Sequence, residues 1–149
     1  KEDEFTKLQG LIYGKEILRA KPYKNIIEIL NHLKKLNHNI FIVSHKTKYP
    51  YLGEKINLRD AADKWIKNYL KIDDKLIFDK KNIFYEDTID SKIKRINQLK
   101  INYFIDDLPS VLKLIEKPTV GLLYDPSKKC IYDKNKTINN HLELIDILG

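Results

Sequence analysis

The sequence predicts an α/β fold: a doubly wound, mostly parallel sheet with helices on both faces. Three observations carry this. Segments with a helical apolar stripe alternate with short apolar runs along the chain. Those runs are uninterrupted rather than alternating, as in strands buried on both faces. Polar residues then gather just after the runs, at the strand ends where open parallel sheets place their sites.

The elements follow in order. Residues 4–20, EFTKLQGLIYGKEILRA, space Phe5, Leu8, Leu11, Ile12 and Leu18 helically, with Gly10 and Gly14 interrupting. They predict a small helical, cap-like excursion (1–20) ahead of an α/β core domain (21–149). NIIEILNHLKKL (25–36) carries a stripe of Ile26, Ile29, Leu30, Leu33 and Leu36 and predicts a helix. NIFIVSHKT (39–47) predicts a strand from its run Ile40 to Val43. NLRDAADKWIKNYL (57–70) is helical, with Leu58, Ala61, Ala62, Trp65, Ile66 and Tyr69 on one face. NIFYE (82–86) predicts a strand and DSKIKRINQL (90–99) a helix capped by Asp90 or Ser91. NYFIDD (102–107) is a strand. LPSVLKLIE (108–116) is a helix with Pro109 in its first turn. TVGLLYD (119–125) is a strand, and INNHLELIDIL (138–148) a closing helix. A crossover helix joins two parallel strands, yet none precedes the helix at 25–36. A first strand is therefore expected upstream of Lys1.

Composition narrows the class. With 149 residues, 42% hydrophobic and 33% charged, the chain suits one globular domain with its own core. No apolar run reaches membrane-span length, so no membrane partner is expected. The single cysteine, Cys130, permits no internal disulfide and fits a reducing cytoplasm. The net charge of +7 is spread over scattered lysines with no aromatic-basic module, so no nucleic-acid polymer is expected. A small phosphorylated molecule suits that surplus.

The strand ends hold the chemistry. Ser44 offers a hydroxyl and a turn with free backbone N–H groups. Lys92 opens a helix, with Lys94 as a rival for the same role. Asp106 and Asp107 are adjacent carboxylates, which repel and raise each other's pKa unless positive charge lies near. Mg²⁺ takes one or two carboxylates plus waters and phosphate oxygens. Serine, lysine and acidic pair, in that order on successive strand ends, make a phosphoryl-transfer site lacking only its nucleophile.

In these residues the chain resembles the haloacid dehalogenase-like superfamily, most of whose members are Mg²⁺-dependent phosphatases. FIVSHKT is similar to its second motif through Ser44, SKIKRINQL to its third through Lys92, and YFIDDLP to its fourth through Asp106 and Asp107. The likeness covers roughly residues 20 to 125. It implies a phosphoric monoester hydrolase of a small phosphorylated metabolite. Ser44, His45 and Lys92 would bind phosphate, and Asp106 and Asp107 would hold Mg²⁺. The family's Asp-x-Asp nucleophile motif is absent from this chain. The resemblance implies that it lies upstream, on the missing strand, and would form an aspartyl-phosphate.

Each residue also has a plainer role. Ser44 suits an ordinary turn, Asp106 and Asp107 suit a helix N-terminus, and His45, Lys46 and Lys48 suit an exposed basic loop. Asp125 reads as a turn acid before Pro126. A catalytically incomplete member of the same fold, binding a phosphorylated ligand or a protein, is the alternative function. A nucleotidase is a further option within the family. A phosphoacceptor receiver domain would use the same residue types in a different order.

Overall fold

The apolar runs form two parallel ladders. A computed structural model describes all residues from Lys1 to Gly149, and the chain divides into two units, Lys1–Tyr23 with Asn39–Thr88, and Lys24–His38 with Ile89–Gly149. The parallel α/β class is as expected. The single continuous sheet is not, because the parallel strands fall into a two-stranded sheet and a three-stranded sheet.

In the first unit, α1 (Glu2–Leu11) runs into a π turn at Ile12–Glu16 and a 3-10 turn at Ile17–Arg19. Strand β1 (Ile42–His45) leads to α3 (Leu58–Tyr69), a short hairpin of β2 (Lys71–Ile72) and β3 (Lys75–Leu76), and β4 (Ile83–Glu86). β1 pairs with β4 in parallel, Ile42 opposite Ile83 through His45 opposite Glu86. Asn57 caps α3, its side chain accepting from the N–H groups of Arg59 and Asp60. Val43, Leu58, Ala61, Ile66, Leu70, Ile77 and Phe78 are the buried apolar residues. The opening helices are tied to α3 by Trp65 Nε1 donating to the Ala20 carbonyl and the Tyr69 hydroxyl donating to that of Leu18, both at 2.7 Å. Glycine is required where they meet the chain after β1. A β-carbon at Gly10 would lie 2.8 Å from Pro50, and one at Gly14 2.9 Å from Ile56.

In the second unit, α2 (Ile26–Lys35), α4 (Ile89–Gln98), α5 (Pro109–Leu112) and α6 (Leu144–Leu148) accompany β5 (Tyr103–Asp106), β6 (Val120–Tyr124) and β7 (Thr137–Ile138). The sheet order is β5-β6-β7, all parallel, with Tyr103 opposite Val120 and Leu123 opposite Thr137. Ile29, Ile96, Leu123, Ile138 and Leu144 are almost wholly buried. α2 packs on α6 and the turn before it, and His38 Nε2 lies 2.9 Å from the Leu148 carbonyl.

Two elements differ from expectation. The helix predicted over 108–116 spans only Pro109–Leu112. The closing helix predicted over 138–148 is instead strand β7, a 3-10 turn at His141–Glu143 and the five residues of α6. A capping box explains the break. The Asn140 side chain accepts from Leu142 N–H, and the Glu143 carboxylate accepts from Asn140 N–H. The helical segment must start there, which frees Ile138 to pair with Tyr124.

Candidate active site

β5 ends in Asp106, and Asp107 follows at a bend. The two neighbours have different surroundings. Asp106 has a side chain only 9% exposed, whereas Asp107 is open to solvent. Lys92, one turn into α4 and equally buried, donates to Asp106 Oδ2 at 2.6 Å. The Leu108 N–H donates to Asp106 Oδ1 at 2.9 Å. The ammonium also stands 5.2 Å over the Phe104 ring. The positive charge beside the acidic pair is thus a lysine of the chain itself. Lys94 lies exposed on the same helix, so Lys92 is the lysine that meets the pair.

Asp107 accepts no hydrogen bond and forms no ion pair. No group of three or more His, Cys, Asp or Glu side chains converges on one point. That donor set does not suit Zn²⁺ in a closed protein cage. It does fit a Mg²⁺ ion that keeps several waters and completes its shell with ligand oxygens. Asp107 would be the direct carboxylate, with Asp106 behind it.

The neighbouring strand end is built around another acid. Asp125, after β6, is 4% exposed. Its carboxylate accepts from Cys130 N–H at 2.7 Å and the Ser127 hydroxyl at 3.0 Å, while its carbonyl accepts from Asn139 Nδ2 at 2.6 Å. The Cys130 N–H bond, helped by Ser127, holds its carboxyl below the usual aspartate range. A depressed folded pKa stabilises the protein above the unfolded value of about 3.9. That contribution is lost as pH falls through the folded value. Asp125→Asn is therefore expected to flatten the acid limb of a stability-versus-pH curve below about pH 4. Urea unfolding at stepped pH measures it, and a limb as steep as wild type would count against this role.

Ser44 and His45 lie in the first unit, and Lys92, Asp106 and Asp107 in the second. The Ser44 side chain is half-buried at the end of β1, and its hydroxyl has no partner within the protein. His45 is exposed, with Nε2 3.1 Å from the Asp87 carbonyl. Arg59 binds the Asp87 carboxylate at 2.7 Å and the Lys46 carbonyl at 3.0 Å. Sequence reasoning missed Arg59. Its only signal was its place two residues past a helix cap, which many surface arginines share. On β4 the Tyr85 hydroxyl donates to Asp63 at 2.7 Å. Burial first, and that bond second, push the Tyr85 pKa up.

These features define an α/β protein whose parallel strands end in a buried lysine–carboxylate pair and an open carboxylate. The chain is similar to a Bacillus cereus protein described as "Putative nucleotidase", at 29% identity over 128 residues, 84% of this chain. The match takes in 54% of that protein, so the chain spans about half the length of the curated relative it matches. No protein-family model matches the chain, and no solved structure matches it. No helix is long and apolar enough to cross a membrane.

Proposed function

We propose that the chain forms the α/β body of a Mg²⁺-dependent phosphoric monoester hydrolase acting on a small phosphorylated metabolite, with nucleoside monophosphates the first class to test. The observation that carries this is the Lys92–Asp106 pair at the end of β5, with Asp107 open beside it. The printed description of the Bacillus cereus relative supports the same reaction class.

In this mechanism Lys92 holds Asp106 ionised and in place, and its remaining N–H bonds face phosphate oxygens. Asp107 supplies the carboxylate for Mg²⁺, which screens the charge of the phosphoryl group when bound. The nucleophile is an aspartate of the whole protein, outside this chain. Its attack breaks the ester P–O bond, forms an aspartyl-phosphate and releases the alcohol, whose oxygen takes a proton from the second aspartate of the Asp-x-Asp motif. Water then cleaves that intermediate to release inorganic phosphate.

The test is phosphate release by the full-length protein from an aryl phosphate and a panel of nucleoside monophosphates, in Mg²⁺ and in a chelator. Release that needs Mg²⁺ is expected. No release from any of them overturns the hydrolase and leaves the phospho-ligand binding module in its place.

A further inference from the structure

α1 and the two turns after it make one helical rod from Glu2 to Arg19. Its glycines face inward and its large apolar residues face water. Gly10 and Gly14 stand four apart, hence on one face, closed against Pro50 and Ile56. On the opposite face Phe5, Leu8 and Ile12 recur at helical spacing, 60%, 50% and 44% exposed. Leu11 beside them is 42% exposed. Leu52, whose carbonyl lies 3.5 Å from the β-carbon position of Gly10, and Tyr51 before it are exposed as well. Single exposed apolar residues are ordinary, but a continuous stripe on one helix marks a docking surface.

The charges on the rod select what covers it. Glu2, Asp3 and Glu4 fill its first turn, while Lys15 and Arg19 lie toward the other end. Helices that lie on membranes instead carry lysine and arginine around their apolar face, so an anionic lipid surface suits this rod poorly. The same rod in a second copy suits it well. Run antiparallel, it offers an apolar stripe of equal length and sets a basic end beside each acidic one. The helix dipoles are also opposed in that orientation. A parallel pair would set three carboxylates against three. Lys15 is bonded to Glu54 at 2.6 Å and Arg19 to Glu16 at 2.8 Å. Both pairs are exposed and hence weak, so either cation can be shared with an incoming carboxylate. Setting Leu8 against Leu11 of the second copy brings Glu4 level with its Lys15. A two-fold axis makes every such contact twice.

We propose that the α1 face of Phe5, Leu8, Leu11 and Ile12 is a homodimer interface, formed by two antiparallel α1 helices about a two-fold axis. One helix face supplies far fewer residues than the roughly 20–30 a side of a standard interface. The dimer is therefore reversible, with Kd on the order of 1–100 μM. It stands independently of the hydrolase reading, and its test needs no turnover.

The experiment is sedimentation velocity of the full-length protein from about 1 to 300 μM. Wild type should pass from monomer to dimer across that range. Leu8→Glu should raise Kd about 100-fold or more, because the two-fold axis brings two new carboxylates into one apolar seam. Its unfolding midpoint at low concentration should match wild type, since Leu8 is exposed in the single chain. Leu8→Met should leave Kd within about 3-fold. Glu2→Lys combined with Glu4→Lys should raise Kd about 10-fold, which reads the charge order. A wild type that stays monomeric throughout overturns the dimer. If Leu8→Glu then lowers the unfolding midpoint of that monomer, the rest of the polypeptide covers the face. If the monomer instead co-sediments with phosphatidylglycerol vesicles, lipid does. A dimer whose Kd moves less than about 2-fold in Leu8→Glu forms through another surface and also overturns the proposal. An unchanged Kd in the Glu2 and Glu4 variant overturns the antiparallel arrangement.

Discussion

Lys92→Met is expected to unfold the protein more easily by about 3–5 kcal/mol and to abolish turnover. The Asp106 carboxylate would remain buried with only the Leu108 N–H for company. Removing one partner of a buried pair typically costs that much because the other charge is left uncompensated. The companion double variant, Lys92→Met with Asp106→Leu, separates structure from chemistry. Replacing a whole buried ion pair by apolar groups is often neutral, so stability should largely return. Turnover should not, since the proposed mechanism needs the Lys92 ammonium at the phosphoryl group. Urea unfolding together with aryl phosphate turnover reads both quantities. A double variant that regained activity would reduce the pair to scaffolding.

Asp107→Asn should behave in the opposite way. The residue is exposed and unbonded, so its replacement should shift stability by less than about 0.5 kcal/mol. Turnover at low Mg²⁺ should fall about 100-fold or more, by analogy with loss of one preorganised electrostatic group. Raising Mg²⁺ should recover part of it, because a weakened site can still be filled by mass action. The Mg²⁺ concentration giving half-maximal rate is the number to compare. An unchanged value would remove Asp107 from the metal site.

The contrast between these neighbours shows what could be read beforehand. Two acids side by side at a strand end were visible in the sequence, as were the apolar runs that became β1, β4, β5 and β6. That the first is buried and the second open was not, because the strand stops between them. Which of them faces Lys92 depends on how α4 lies on the sheet, and helical periodicity alone does not fix that. The same gap hid the bond from Arg59 to Asp87, which joins residues 28 positions apart. The tail is a different case. Asn140 and Glu143 stand three apart and spell a helix start, but the stronger apolar periodicity of residues 138–148 masked it. The β2–β3 hairpin turns on Asp73 and Asp74, both at positive φ. Two adjacent aspartates are weaker markers of such a turn than a glycine would be.

The second unit is discontinuous in sequence: α2 rests against the turn at His141–Glu143 and α6. During synthesis α2 leaves the ribosome roughly a hundred residues before those segments do, a wait of about ten seconds at ordinary elongation rates. For that interval its apolar stripe of Ile29, Leu30 and Leu33 lacks its final cover. A nascent chain stalled before residue 138 should therefore recruit holdase chaperones at this helix, and one in which residues 138–149 have emerged should not.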